Sequence, residues 1–497
     1  MKKIKIKTEY WLILAILIYI ALFSFFTIMR HLSSKLGDPD ASIFSQSFYT
    51  ALKYGMPFNN AFEAMSRFEV CHLPQGISYF GIYNTPNGIS HFGIHYSPIF
   101  YLLLPFYWIH SSYVTLLILQ TSALAIGAYP VFLIAKDRLG EKIALAFSIL
   151  YLLYHPLHGV NYDQFNELSF AVAPLLFALY FFMKRKFAPF WCFLILTLMC
   201  KEDAAFVVIF FGIYGIITYF LEKKRDKILL WNSTGIFMFS VIYLYLSLYI
   251  IIPHFHPSGG FVLFSERFKH LGNSLSEVGL NLIIHPQNIF KYIFIKENVF
   301  YFFELFLPLA FLPFVSPGLL FMTIPVFFIT MISRPLMCNT GGRYSAYLIP
   351  FIFGAAVFAF EKIMELKKDK EKSQRKLIIT MLTLTILCTL FLSNTPARMG
   401  FKVPKITEHQ KKILAIAKTI PKEASISTQA DILQHVCQRL HAYSGYRIGT
   451  DYIFVDEASQ WYKEQACWDK VMPSILAENR YEKIYEDDGI KIYKKKK

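Results

Sequence analysis

Ten charged or imidazole side chains of this sequence could perform acid/base chemistry or bind an anion, and they fall into five short groups. The groups are Asp38 and Asp40; His91 and His95; Asp163 and Glu167; Lys201, Glu202 and Asp203; and Arg343, which Tyr344 follows. Carboxylates can act as general bases, and lysine or arginine can hold a phosphate. No group has the spacing of a closed zinc site. The groups can therefore form a functional site only if the fold brings them together.

The acidic groups each allow a functional and a structural interpretation. Asp38 or Asp40 could serve as a general base or a metal ligand, but either could equally be a solvated acid or cap a helix from Ala41 onward. Asp163 and Glu167 lie in a polar loop between two apolar segments. They could bind sugar hydroxyls or assist proton transfer, or they could be ordinary loop acids.

The imidazole and cationic groups are open in the same way. His91 and His95 are four residues apart, which would place both on one face of a helix, where they could bind a metal or a phosphate or simply be interfacial polar residues. The triplet Lys201–Asp203 separates two apolar runs, where its lysine could hold a phosphate or form an internal ion pair. Arg343 could make bidentate phosphate contacts or act as a snorkelling anchor.

The composition indicates that these groups belong to a membrane protein. Of 497 residues, 55% are hydrophobic and 18% aromatic, and the mean hydropathy is +0.41, which is typical of a polytopic membrane protein. The net charge of +16 would suggest nucleic acid as a partner of a soluble protein. Here much of the excess lies in loops beside apolar segments, so membrane topology explains it and we exclude nucleic acid.

The apolar runs predict an all-α membrane domain with eleven spans. The first is retained, because no small-residue cleavage site follows it. The spans are 11–29, 112–135, 142–157, 168–183, 187–200, 204–221, 228–252, 298–316, 318–333, 345–361 and 377–393. With the N-terminus inside, four short inner loops carry 17 Lys/Arg and three outer loops carry three. This topology predicts that all five groups lie on the extracytoplasmic side of the cell membrane.

Two long outer loops and a small domain complete the predicted organisation. The membrane domain covers 1–393 and includes outer loops 30–111 and 253–297, the first with an interfacial helix over 96–110. Residues 394–497 are predicted as an extracytoplasmic α/β domain, with helices 407–418 and 470–479 and strands 424–428, 451–456, 481–486 and 489–494. Whether Cys437 and Cys467 form a disulfide is left undecided, because their sequence spacing does not fix the geometry that the bond requires.

Seven segments also carry a resemblance to a known family. They are Asp40-Ala-Ser-Ile-Phe-Ser-Gln46, His91-Phe-Gly-Ile-His-Tyr-Ser-Pro98, Ala135-Lys-Asp-Arg-Leu-Gly140, Tyr162-Asp-Gln-Phe-Asn-Glu167, Lys201-Glu-Asp203, Arg343-Tyr-Ser-Ala346 and Tyr485-Glu-Asp-Asp-Gly489. In this order they resemble the predicted membrane proteins called domain of unknown function 2079. That family is similar to the C-class glycosyltransferases, which use sugars carried on polyprenyl phosphate.

The resemblance implies roles for several residues. The acid after the first helix, Asp40 or Asp38, would be the base, and Asp163 would be the second acid. Lys201 and Arg343 would hold the donor phosphate. The chain departs from relatives at Pro39, which separates the two acids, and at Ser45, where relatives often have an acid. The identity of the base and any need for a divalent cation therefore stay open.

We accordingly expect an integral membrane glycosyltransferase of the cell envelope. Asp40 and Asp163 are the expected catalytic residues. The expected substrate-binding residues are Asp38, His91, His95, Glu167, Lys201, Glu202, Asp203, Arg343 and Tyr344. The partners would be a polyprenyl-phosphate sugar, membrane lipids and an extracytoplasmic acceptor. A polar-lipid transporter or flippase and a non-catalytic assembly protein are the alternatives.

Overall fold

The computed structural model describes residues 7–34, 40–60, 88–257, 259, 267–334, 337–447, 449–464 and 468–496. Among these described residues, the N-terminal half contains a short ladder of β1 (Phe58–Asn59) and β2 (Ile89–Ser90) and twelve α-helices. These are α1 Thr8–Leu32, α2 Asp40–Tyr54, α3 Ile99–Ile109, α4 Tyr113–Ile126, α5 Ala128–Leu139, α6 Glu141–Leu153, α7 His155–Tyr162, α8 Val172–Met183, α9 Phe187–Leu198, α10 Ala204–Leu221, α11 Lys227–Leu246 and α12 Ile252–Phe255. The remaining helices up to residue 393 are α13 Leu275–Ile284, α14 Pro286–Ile293, α15 Lys296–Phe306, α16 Ile324–Ile332, α17 Ile349–Glu365 and α18 Lys370–Phe391.

Five helices of the described part are long and apolar enough to cross a membrane. They are Thr8–Leu32, Tyr113–Leu139, Ala204–Leu221, Lys227–Phe255 and Lys370–Phe391. A sixth is obtained if α6 and α7, bent by 45° at their junction, form one span. Four apolar helices are shorter: Ile99–Ile109, Glu167–Met183, Phe187–Leu198 and Pro317–Ile332. The polytopic, mostly helical architecture is therefore confirmed, whereas the count of eleven spans stays a prediction.

One predicted span is wrong as a continuous helix. The helix expected over 298–316 ends at Phe306 and is followed by 3₁₀ turns. Pro308 and Pro313 lack backbone N–H donors, and Ala310 and Phe311 adopt positive φ angles of 52° and 54° between them. These prolines explain why the apolar composition does not give one straight span here.

The C-terminal region contains the predicted α/β fold. Its elements are α19 Glu408–Ala417, β3 Ile426–Thr428, α20 Ala430–Val436, β4 Ala442–Ser444, β5 Tyr452–Asp456, α21 Gln460–Glu464, α22 Trp468–Ala477, β6 Tyr481–Asp487 and β7 Ile490–Lys495. The sheet order is β4-β3-β5-β7-β6, parallel on one side and an antiparallel hairpin on the other. All six predicted elements are present, while α20, α21 and β4 were not predicted. Cys467 lies outside the described residues, so the disulfide is not tested.

Buried amides fix this region to the first outer loop. The Gln46 side-chain amide donates to Asn60 Oδ1 at 2.7 Å and to the carbonyls of Arg439 and Leu440 at 3.2 and 3.0 Å. Asn60 Oδ1 in turn accepts from the backbone N–H of Ala442 at 2.9 Å. Because buried polar groups are costly to leave unpaired, these bonds hold α2 against the C-terminal sheet in one arrangement.

His409 in α19 links two strand-end carboxylates and gives a pH-dependent contribution to stability. Its ring nitrogens contact Asp456 at 2.8 Å and Asp488 at 3.0 Å. Burial lowers the pKa of His409, but the hydrogen bonds to these carboxylates outweigh it, so the pKa lies above its usual 6.5. The stabilisation is therefore complete below pH of about 6.5 and is lost as the pH rises through the raised folded-state value.

We expect His409→Gln to lower the thermal unfolding temperature near pH 6 and to have a fading effect toward pH 9, where wild-type His409 is neutral. Thermal unfolding of the full chain at a series of pH values measures this difference. The control is His285→Gln, because His285 is exposed and its ring contacts Gln287 rather than a carboxylate. An effect of His409→Gln that grows with pH would contradict the ion-pair interpretation.

Candidate active site

Arg343 joins the two predicted catalytic acids. Its Nη1 lies 2.7 Å from Asp40 Oδ2, and its Nε lies 2.8 Å from Asp163 Oδ2. The backbone N–H of Arg343 also donates to the same Asp163 oxygen at 3.2 Å. The guanidinium fork can contact two carboxylates at once, which a lysine ammonium does less well. Asp40, Asp163 and Arg343, hereafter the carboxylate clamp, therefore form one unit from three distant parts of the chain.

The local structure explains how the carboxylate clamp is assembled. Asp40 is the first residue of α2, where the helix dipole favours an acid, and the next N–H, of Ala41, donates to Gln164 Oε1 at 2.9 Å. Asp163 directly follows α7. In α7, a Cβ on Gly159 would lie 1.7 Å from the Thr340 carbonyl oxygen. Only glycine permits that approach, which brings the segment leading to Arg343 against the end of α7.

Lys201 forms a second charged group on a buried turn between α9 and α10. Its Nζ lies 3.6 Å from Asp203 Oδ2 and 3.9 Å from Glu167 Oε1, and only 6% of its side chain is exposed. Burial lowers the pKa of Lys201, but the surrounding carboxylates outweigh it and raise the pKa above its usual value. Asp203 is further held by the Tyr347 hydroxyl, which donates to it at 2.7 Å. Lys201 is therefore a permanent buried cation.

The two predicted histidines lie beside this cation and are neutral. Burial and the Lys201 charge hold the pKa of His95 well below its usual value, and burial does the same for His91. His95 Nδ1 contacts Glu202 Oε1 at 2.8 Å, so Nδ1 carries the proton when Glu202 is ionised. Both ring nitrogens of buried His91 lack a hydrogen-bond partner among the described residues. The centroid of the His91 ring lies 5.3 Å from that of Phe44 in α2 and 6.3 Å from that of His95, so the two histidines link the helix that begins at Asp40 to the Lys201 group.

A pocket opens directly beside the Lys201 group. It encloses about 550 Å³, part of it open to solvent, and its polar lining is His95, Lys201, Glu202, Asp203 and Arg267. Arg267 is oriented by Tyr344, whose hydroxyl lies 3.3 Å from Nη2 and whose ring centroid lies 5.6 Å from the guanidinium carbon. Two cations thus face the pocket from different parts of the chain, together with the carboxylates of Glu202 and Asp203.

The pocket continues into an apolar groove. Its walls are shared with the pocket at Phe206, Leu244, Leu248, Phe268 and Ile329. From there the groove runs along α11 to Tyr245 and Tyr249, which are 57% and 60% exposed. Its outer part encloses about 1000 Å³, part of it open to solvent. Large apolar side chains with such exposure are typical of a lipid-facing surface. The groove therefore leads from the surroundings of α11 to the two cations.

The structure brings nearly all predicted site residues together. Asp38 lies outside the described residues. Within the described ranges, no group of three or more His, Cys, Asp or Glu side chains could hold a metal ion, and the need for a divalent cation stays open. Sequence reasoning missed Arg267, because it stands in a long outer loop beside no motif. The one usable signal was a cation next to Phe268 on the predicted outer face.

The chain matches one protein family in sequence and resembles solved membrane proteins in fold. The model of a family described as "Predicted membrane protein (DUF2079)" matches residues 30–492. The structure is similar to that of ArnT from Cupriavidus metallidurans bound to undecaprenyl phosphate, with a TM-score of 0.54 and 11% identity over 97% of this chain and 98% of that chain. It is also similar to the Archaeoglobus fulgidus oligosaccharyltransferase in complex with Zn and sulfate, with a TM-score of 0.50 and 12% identity over 94% and 72% of the two chains. No curated protein matches the chain by sequence. At 11% and 12% sequence identity, these similarities show a shared fold and do not by themselves show a shared function.

Proposed function

Because the chain belongs to the DUF2079 family of predicted membrane proteins and has the fold of the C-class glycosyltransferases, we propose that it is an integral membrane glycosyltransferase. The donor would be a sugar on a polyprenyl phosphate, and the acceptor would be an extracytoplasmic lipid, glycan or protein. The observation that carries this proposal is the apolar groove ending at Lys201 and Arg267, in a chain whose predicted catalytic acids are joined in the carboxylate clamp.

In this proposal each part of the site has one task. The polyprenyl chain lies in the groove along α11, and its phosphate contacts Lys201 and Arg267. Undecaprenyl phosphate is the ligand of the similar ArnT structure, which fits a donor of this class. Arg343, with two carboxylate partners, holds the acids in place rather than the phosphate. Lys201 keeps the role predicted from the sequence, and Arg267 takes the role predicted for Arg343.

The reaction follows from these positions. Asp40 takes the proton from the acceptor's nucleophilic group, with Asp163 orienting that group. The nucleophile forms a bond to the anomeric carbon while the bond from that carbon to the phosphate oxygen breaks. Polyprenyl phosphate leaves with the electron pair, and the two cations stabilise its charge. Lys201 contributes most to this effect, because it is buried and little water screens its charge.

The proposal is tested with the full chain in nanodiscs and a panel of polyprenyl-phosphate sugars. Mass spectrometry would follow free polyprenyl phosphate and the sugar-bearing acceptor in cell-envelope fractions. We expect release from one class of donor that depends on an acceptor fraction. Folded protein that neither binds nor cleaves any donor would overturn the proposal. Movement of an intact lipid across liposomes without cleavage would support the transporter alternative instead.

We expect Arg267→Ala to weaken donor binding, because the phosphate loses one of its two cations. A charge-assisted hydrogen bond contributes about 1.5–3 kcal/mol, so the donor Kd should rise about tenfold to a hundredfold. Titration of a non-cleaved donor analogue into nanodiscs measures this change. The control is Arg334→Ala, because Arg334 lies close by but donates to the carbonyls of Met331 and Ser333 instead of facing the pocket. An equal loss in both variants would contradict a specific phosphate contact.

A further inference from the structure

A second groove lies at the other end of the helix bundle, between the starts of α6 and α18. It holds about 1370 Å³ of empty space, part of it open to solvent. Its walls are apolar, formed by Ile143 and Ala146 of α6 and by Ile378 and Ile379 of α18. The two helices run side by side here. The groove is thus a furrow between two predicted spans, open along its length.

The rim of this groove is cationic. Lys142, Lys370 and Arg375 line it, and their side chains make no ion pair or hydrogen bond within the described parts of the chain. Two carboxylates are also present. Glu141 is held by Lys136 at 2.8 Å and by the Thr8 hydroxyl at 3.3 Å, whereas Glu371 has no cation within ion-pair distance among the described residues. Three cations against one uncompensated carboxylate leave the groove positively charged.

The predicted topology places this rim on the cytoplasmic side. The inner loop 362–376, which leads into α18, carries seven Lys/Arg, and the inner connection 136–142 carries three. The inner leaflet is the face at which anionic headgroups attract such residues. A soluble anion could be bound by the cations alone and would not need apolar walls. The apolar walls that continue along α6 and α18 require an occupant that is anionic at one end and apolar along its length.

We propose that the groove between α6 and α18 is a binding site for one anionic phospholipid of the inner leaflet. The phosphodiester contacts Lys142, Lys370 and Arg375, and an acyl chain lies between Ile143 and Ile378. The site is separate from the proposed donor groove, which opens on the opposite side of the bundle. Its occupant would fasten α6 to α18, and α6 continues into α7, whose end holds Asp163.

The test uses the purified full chain in a zwitterionic detergent with added phosphatidylglycerol or phosphatidylcholine, and native mass spectrometry counts bound lipid. We expect retention of phosphatidylglycerol over phosphatidylcholine. Each surface cation near an anionic headgroup contributes about fivefold in affinity, so the triple variant Lys142→Gln, Lys370→Gln and Arg375→Gln should lose about a hundredfold. Ala146→Trp, which fills the apolar wall without changing charge, should also reduce retention.

The matched control is Lys223→Gln, Lys224→Gln and Arg225→Gln, which removes the same charge from another inner loop. The control triple should keep the lipid preference, and soluble glycerol phosphate should not displace the lipid. Equal losses in both triples would overturn the site in favour of general surface charge. Full displacement by glycerol phosphate would overturn it in favour of a free anion site. If the triple variant does not fold, Arg375→Gln alone should lose about fivefold.

Discussion

Asp40→Asn should lower the rate of sugar transfer about 100-fold to 10,000-fold while leaving donor binding nearly unchanged, because it removes the proposed general base. Asparagine keeps the shape of aspartate and an oxygen that can accept from Arg343, so the carboxylate clamp should persist. The donor site at Lys201 and Arg267 is formed by other elements. Loss of rate without loss of affinity is therefore the expected signature.

Single-turnover measurements in nanodiscs separate the two quantities, with donor binding measured first and release of polyprenyl phosphate second. The matched control is Asp137→Asn, because Asp137 is also an ion-paired aspartate, 2.8 Å from Lys184, but lies on the predicted inner face. This control should keep full activity. An Asp40→Asn protein that transfers sugar at the wild-type rate would assign the base to another group, with Asp163 the first to test.

The broad architecture could be predicted because it depends on local patterns. Long apolar runs and the Lys/Arg asymmetry indicate a polytopic helical domain. A short apolar run indicates β5, and alternating apolar residues indicate β7. The strand β4, Ala442–Ser444, was not predicted because its sequence Ala-Tyr-Ser has no apolar run. Its position depends on Asn60 and Gln46, which are nearly 400 residues away in sequence.

The residues of the site could be predicted from the sequence, but the contacts between them could not. Topology placed Asp40, Asp163 and Arg343 on one face, yet nothing in the sequence indicates that one guanidinium joins two acids 123 residues apart. That contact depends on the approach of Thr340 to Gly159, which is tertiary. Arg267 was missed for the same reason. Its pocket is formed by α10, α11 and α16, whose apolar faces look like any other core surface in the sequence.

The carboxylate clamp predicts a specific effect for Arg343→Lys. Lysine keeps the positive charge but has a single ammonium group on a flexible stem, so it cannot reproduce contacts of 2.7 and 2.8 Å to two separate carboxylates. One acid should move out of position. Displacing a catalytic group by about 1 Å can cost on the order of 100-fold in rate, and we expect a loss of about 10-fold to 100-fold in kcat.

The division between kcat and KM distinguishes this role from the one first predicted from the sequence. If Arg343 positions the acids, Arg343→Lys lowers kcat and leaves the KM for donor nearly constant. If Arg343 held the donor phosphate, the same change would mainly raise KM, as we expect for Arg267→Ala. The control is Arg138→Lys, because Arg138 also pairs with a carboxylate, that of Glu361, on the predicted inner face. It should leave both constants unchanged.

Arg343→Ala should lower the stability of the fold as well as the activity. Without the guanidinium, the Asp40 and Asp163 carboxylates would remain near one another without their shared cation, so the variant should lose both activity and folding free energy. Loss of charge-assisted hydrogen bonds of this kind costs about 2 kcal/mol, whereas Arg343→Lys should lose much less stability. Thermal unfolding of both variants in the same detergent measures the difference. A loss of about 10-fold to 100-fold in rate for Arg343→Lys at nearly wild-type stability would show that Arg343 supplies positioning rather than folding. Equal stability losses in both variants would contradict this role.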